Sequence, residues 1–168
     1  TEWGYAYRTT ADLRWAYGIF RMIRWGALVR TLNGVGSYLL RWGFPVEPIL
    51  RSTLGRLFLG GERLEEALAV AQKLGSYGVQ VLLDYAVEAS EEAEEQEATF
   101  QAYQEMIRFA GCHRDLIPSV AVKLTALAAP LIWQRKSEGR LSTALQALYE
   151  KGMERTRILA RLAAREGI

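Results

Sequence analysis

Cysteine is almost absent: Cys112 stands alone among 168 residues. A lone thiol excludes an internal disulfide and a cysteine-rich zinc site, and it fits a reducing compartment. Histidine is as scarce, with His113 the single example. The pair Cys112-His113 thus has no second histidine to support a nucleophile, and neighbours in sequence seldom point at each other. A spacer between a helix and a strand is the better reading. Long apolar runs are missing too. Residues 14 to 44 are apolar and aromatic, yet Arg14, Arg21, Arg24, Arg30 and Arg41 interrupt them, so none reaches the roughly 18 residues of a membrane span. No basic start, apolar stretch and small-residue cleavage site marks a secretory signal after Thr1. The net charge of +2 gives no argument for nucleic acid as a partner.

What is present is an ordinary globular composition, 50% apolar and 24% charged, enough for a soluble domain with a core. The charge is unevenly spread. Between Arg14 and Arg51 six arginines face one acid, Glu47, with Trp15, Trp25 and Trp42 interleaved. Leu13, Tyr17, Phe20, Ile23, Leu28 and Leu32 recur at helical spacing, Asn33-Gly34 and Gly36 suggest a break, and Ser37 to Trp42 a second piece. This is a helical arm over 1–57, either packed on its own domain with arginines as a solvated rim or offering a peripheral membrane contact.

From residue 58 onward the pattern alternates. Leu64, Ala67, Leu68, Ala71 and Leu74 form a helical stripe closed by Gly75 and Gly78. Val79 to Tyr85 reads as a strand covered on both faces. Residues 88 to 107 carry seven glutamates and neither Lys nor Arg, with Phe100, Tyr103, Met106 and Ile107 as the apolar stripe. A solvated acidic helix face explains this better than a metal site. Ser119 to Thr125 after Pro118 reads as a second strand, and a last helix spans 142 to 165 with Leu145, Leu148, Tyr149, Met153, Thr156, Leu159 and Ala163 on its apolar face. The fold class expected is α/β: an N-terminal helical arm, then over 58–168 the first two βα units of a (β/α)₈ TIM-like barrel, incomplete in this chain because such a barrel needs about 200 residues or more.

Asp84 and Lys123 stand out because strands covered on both faces would bury them, and burying an ion costs several kcal/mol unless it is paired. Both fall towards the C-terminal ends of their strands, where barrel active sites lie. They form a structural ion pair or belong to a site. Such a lysine binds an anion, acts as a base or forms a Schiff base, and the residues alone leave these open.

Three segments carry a resemblance. Phe58-Leu59-Gly60-Gly61-Glu62 with Glu65 and Ala67 after it, Val81-Leu82-Leu83-Asp84-Tyr85-Ala86-Val87-Glu88 and Val120-Ala121-Val122-Lys123-Leu124-Thr125-Ala126-Leu127 occur in this order and resemble the N-terminal portion of proline dehydrogenase. The resemblance implies FAD as cofactor and oxidation of L-proline to pyrroline-5-carboxylate by hydride transfer to the flavin, with electrons passed to a quinone. It makes Lys123 an anchor for the proline carboxylate, and Glu62, Asp84 and Thr125 gating or supporting residues. No catalytic residue is assignable in this portion. The FAD contacts are expected in a missing C-terminal part, supplied by a longer chain or by a second polypeptide completing the barrel, and the chain alone is expected to be inactive. The resemblance also implies a bacterial cytoplasmic protein at the inner membrane face, with mitochondria as the alternative. The competing expectation is a non-enzymatic helical module that binds a partner or a membrane surface. A lyase with a Schiff-base lysine is a third.

Overall fold

The computed structural model describes residues 5–45, 48 and 51–168, in two compact units, Thr1–Lys73 and Leu74–Ile168. Glu47, part of the charge count above, lies outside the described residues.

The first unit is helical. Helix α1 (Thr10–Ile23) starts at a capping box: the Thr9 hydroxyl accepts from the Asp12 N–H at 3.1 Å while Asp12 accepts from the Thr9 N–H at 3.2 Å, satisfying two of the donors that a helix start leaves open. Helix α2 (Gly26–Arg41) runs straight through Asn33, Gly34 and Gly36, so the break expected there falls instead at Arg24 and Trp25. The i→i−4 ladder continues through these residues; glycine weakens a helix by about 1 kcal/mol without ending it. A π-helical turn (Arg51–Gly55) and a short α turn (Arg56–Phe58) follow, then α3 (Leu64–Gly75) with Glu65 and Glu66 in its first turn, where carboxylates suit the helix dipole. Phe20 meets Phe58 edge-on with ring centroids 6.1 Å apart.

The second unit contains β1 (Leu82–Asp84), α4 (Ala93–Cys112), β2 (Ser119–Ala121), a 3₁₀ turn (Leu124–Ala126), α5 (Pro130–Ser137) and α6 (Thr143–Glu166). The strands pair in parallel, Leu82 with Ser119, Leu83 with Val120 and Asp84 with Ala121, and α4 makes the crossover that parallel pairing requires. Tyr103, Met106, Ile107 and Ala110 give α4 a buried stripe, and α4 packs on α6, whose buried positions are Gly152, Arg155, Leu159 and Leu162. Ile117, Leu127 and Ile132 complete the core.

These elements correct the expected fold class. The chain is mostly helical with two strands of three residues each, and no barrel units are present among the described residues. Both strands are shorter than the sequence runs for a visible reason. The Val81 N–H donates to the Leu116 carbonyl at 2.8 Å, outside the ladder. At the other end the Lys123 N–H is taken by the Tyr103 hydroxyl at 3.1 Å and the chain curls at once into the 3₁₀ turn. Nor is β1 covered on both faces: Leu82 is 56% exposed while Leu83 is buried. The apolar face of α6 is also rotated from the expected one, since Leu148 is half exposed and Arg155 is buried.

Gly152 shows how closely α6 approaches the turn region. A Cβ there would sit 2.8 Å from Ala128 Cβ and 3.3 Å from Trp133 Cζ2. Gly152→Leu is expected to lower stability by about 2 kcal/mol through overpacking. Urea denaturation of the variant beside the parent measures it, and an unchanged midpoint would refute the close approach.

Candidate functional site

Two residues singled out from sequence meet at the C-terminal edge of the parallel pair. Asp84 closes β1, and Lys123 lies two residues beyond β2 with extended backbone, φ −90° and ψ 112°. Parallel register sets Asp84 opposite Ala121, so a side chain as long as lysine spans back to it. Lys123 Nζ lies 3.0 Å from Asp84 Oδ1 and donates to the Tyr85 carbonyl at 2.9 Å. The geometry is therefore the mutual ion pair, one of the options the sequence left open. Its burial was overestimated: the side chains are 39% and 50% exposed, because one pair of short strands leaves its edge in solvent. An exposed pair of this kind contributes about 0–1 kcal/mol. The arrangement stabilises little and keeps an ammonium group at an accessible edge.

The surroundings of Lys123 are more buried than the pair itself. Tyr103, fully buried, holds the Lys123 N–H through its hydroxyl, and its ring meets Tyr85 edge-on with centroids 6.1 Å apart. Trp133 Nε1–H donates to the carbonyls of Leu124 at 3.0 Å and Ala128 at 3.1 Å, fixing the turn after Lys123. Thr125 lies within that turn and is exposed.

Arg155 supports the same turn from below. Its guanidinium donates to the Leu127 carbonyl at 2.8 Å and to Glu97 Oε2 at 2.5 Å, and it lies over the Phe100 ring. The hydrogen bond from Arg155 is the largest influence on Glu97, holding its carboxyl below the ordinary carboxylate value against a smaller opposing effect of burial. Neither Arg155 nor Tyr103 was recognised from sequence as a support for this edge. The available signal was an arginine at three-to-four spacing from Gly152, Leu159 and Leu162.

Glu62 belongs to the first unit. It pairs with Arg51 at 2.5 Å, and its N–H donates to Glu66 Oε2 at 2.9 Å. Gly61 makes that turn possible: its φ is +154°, and a Cβ there would lie 2.6 Å from Glu66 Cβ. Among the described residues no group of three or more His, Cys, Asp or Glu could hold a metal ion. No described helix is long and apolar enough to cross a membrane.

No family model matches the chain, and no solved structure does. Residues similar to part of this chain occur in the carbapenem antibiotics biosynthesis protein CarD of Pectobacterium carotovorum subsp. carotovorum, 29% identical over 89 residues. That match covers 53% of the chain and 23% of CarD, so the chain spans less than a quarter of that protein's length. These findings correct the resemblance drawn from the three segments: no match is to proline dehydrogenase, and the assignment to that family does not stand. The segments are short, and the fold gives each a local use. Gly61 is needed for a close turn, Asp84 closes a strand, and Lys123 pairs with Asp84.

Proposed function

We propose that the chain contributes the substrate-anchoring part of an enzyme that oxidises L-proline to pyrroline-5-carboxylate with FAD, passing the electrons to a quinone. The observation that carries this reading is the placement of Lys123 Nζ, an exposed ammonium at the C-terminal edge of two parallel strands, beyond a backbone held by Tyr103 and Trp133. Ligands bind outside the carboxyl ends of parallel strands, where chain direction changes and side chains converge. An ammonium fixed there suits a small carboxylate, and proline is a five-membered nitrogen ring bearing one.

The described residues do not fit FAD by themselves. At this edge Lys123, which also contacts Asp84 and the Tyr85 carbonyl, is already assigned to the proline carboxylate and is not assigned to the cofactor's diphosphate as well. No residue of this chain is assigned to the cofactor. Flavin binding and hydride transfer would fall to other residues of the complete enzyme, and this chain's part is to hold and orient the carboxylate.

The test is a visible spectrum of the purified protein in its complete form, before and after addition of L-proline. Flavin absorbance that bleaches with proline supports the reading. Colourless protein, or a flavin spectrum indifferent to proline, counts against it.

A further inference from the structure

We propose that α1 and α2 of the first unit form an interfacial surface that docks on an anionic lipid bilayer. Tyr17, Phe20 and Arg21 on α1 and Arg24 at its C-cap follow three-to-four spacing and line one surface cleft of about 400 Å³. On α2, Leu32, Val35 and Tyr38 follow the same spacing, Trp42 continues it just past the helix end, and the four are 50–75% exposed. Trp15 and Trp25 are exposed as well. Scattered exposed apolar residues need no explanation, but two consecutive helices presenting aromatic and aliphatic stripes do.

Charge selects the occupant. Arg14, Arg21, Arg24, Arg30 and Arg41 are all exposed, and among the described residues none of them has a carboxylate partner. An apolar protein surface packed over these helices would trap guanidinium groups without counter-charge, which is costly. A bilayer surface with acidic headgroups supplies the charge and accepts apolar side chains beside it. Tryptophan and tyrosine suit the headgroup boundary, while arginine extends along its own methylenes to reach phosphate. Since no described helix can cross a membrane, the helices lie in the interface plane.

This surface does not depend on the proline reading. The test is flotation of the chain with vesicles of phosphatidylcholine alone and of phosphatidylcholine mixed with phosphatidylserine, at low and high salt. Binding is expected only with phosphatidylserine, weakened by salt and accompanied by a blue shift of tryptophan emission. Each arginine near an anionic surface is worth about fivefold in partitioning, so the triple variant R14Q/R21Q/R24Q is expected to bind about a hundredfold more weakly with an unchanged circular dichroism spectrum. The double variant W25S/W42S is expected to lose the emission shift and bind more weakly while keeping its salt dependence. Absence of vesicle binding, equal binding to both compositions, or unaltered binding of the glutamine variant would overturn the proposal. So would concentration-dependent self-association in place of binding, which would assign the face to a second copy.

Discussion

Glu97→Leu is expected to destabilise the second unit by about 3 kcal/mol, more than Arg155→Met at about 2 kcal/mol. The asymmetry follows from where each partner sits. The Arg155 side chain is 5% exposed and that of Glu97 45%. Removing the glutamate leaves a guanidinium under the protein surface with the Leu127 carbonyl and a long contact to Gln96 at 3.5 Å as its remaining acceptors. Removing the arginine leaves a carboxylate that solvent reaches, and the principal loss is then the buried Leu127 carbonyl without its donor. Chemical denaturation followed by far-ultraviolet circular dichroism measures both. If Arg155→Met proved the costlier by a clear margin, the guanidinium's packing over Phe100 would outweigh its charge.

The same pair sets a pH dependence with a definite sign. The carboxyl of Glu97 is held below its unfolded value chiefly by the hydrogen bond from Arg155. Its contribution is therefore complete above the unfolded carboxylate value and is lost as pH falls through the lower, folded value. Because Glu97 is nearly half exposed, solvent screens the effect and keeps it modest. The acid limb of a stability profile should be shallower in Glu97→Gln than in the parent, whereas the neutral region should differ by a constant offset.

How much of this was legible in the sequence depends on what each signal measures. The long helix α4 was, because periodicity reports burial of one face: Tyr103, Met106 and Ile107 of the expected stripe are buried. On α6 the same approach placed Leu159 on the inner face correctly but missed the face's centre, because it treats arginine as polar surface and glycine as neutral. The actual inner face contains Arg155, neutralised by Glu97, and Gly152, selected for close approach. The strands were overread because a run of β-branched and aliphatic residues records propensity, while strand length depends on where backbone donors go. Val81 and Lys123 donate to Leu116 and Tyr103 instead of to a neighbouring strand. That difference also removes the barrel. The closeness of Asp84 and Lys123 was foreseeable as one alternative, since both were placed at strand ends, but their exposure was not.

If the Lys123 edge holds a carboxylate as proposed, the exposure of its ion pair leads to the second large effect. Lys123→Ala is expected to weaken binding of L-proline about thirtyfold in the complete protein, the range of a lost charge-assisted hydrogen bond. Asp84→Asn is expected to act in the opposite direction. In the resting arrangement Asp84 already occupies the ammonium at 3.0 Å, and an incoming carboxylate must share it with a like charge. Removing that charge at an exposed pair is worth up to about 1 kcal/mol, so proline affinity should rise by as much as about fivefold. A purely structural pair predicts otherwise: either substitution would break the same contact, both would cost the same small stability, and ligand affinity would move in one direction if at all. Titration calorimetry of the two single variants and the double variant separates the cases. The anchor role requires that the gain from Asp84→Asn vanish once Lys123 is alanine, because the aspartate competes only through the lysine. A gain that persists undiminished in the double variant would mean that Asp84 acts on the ligand independently of Lys123, against the anchor role.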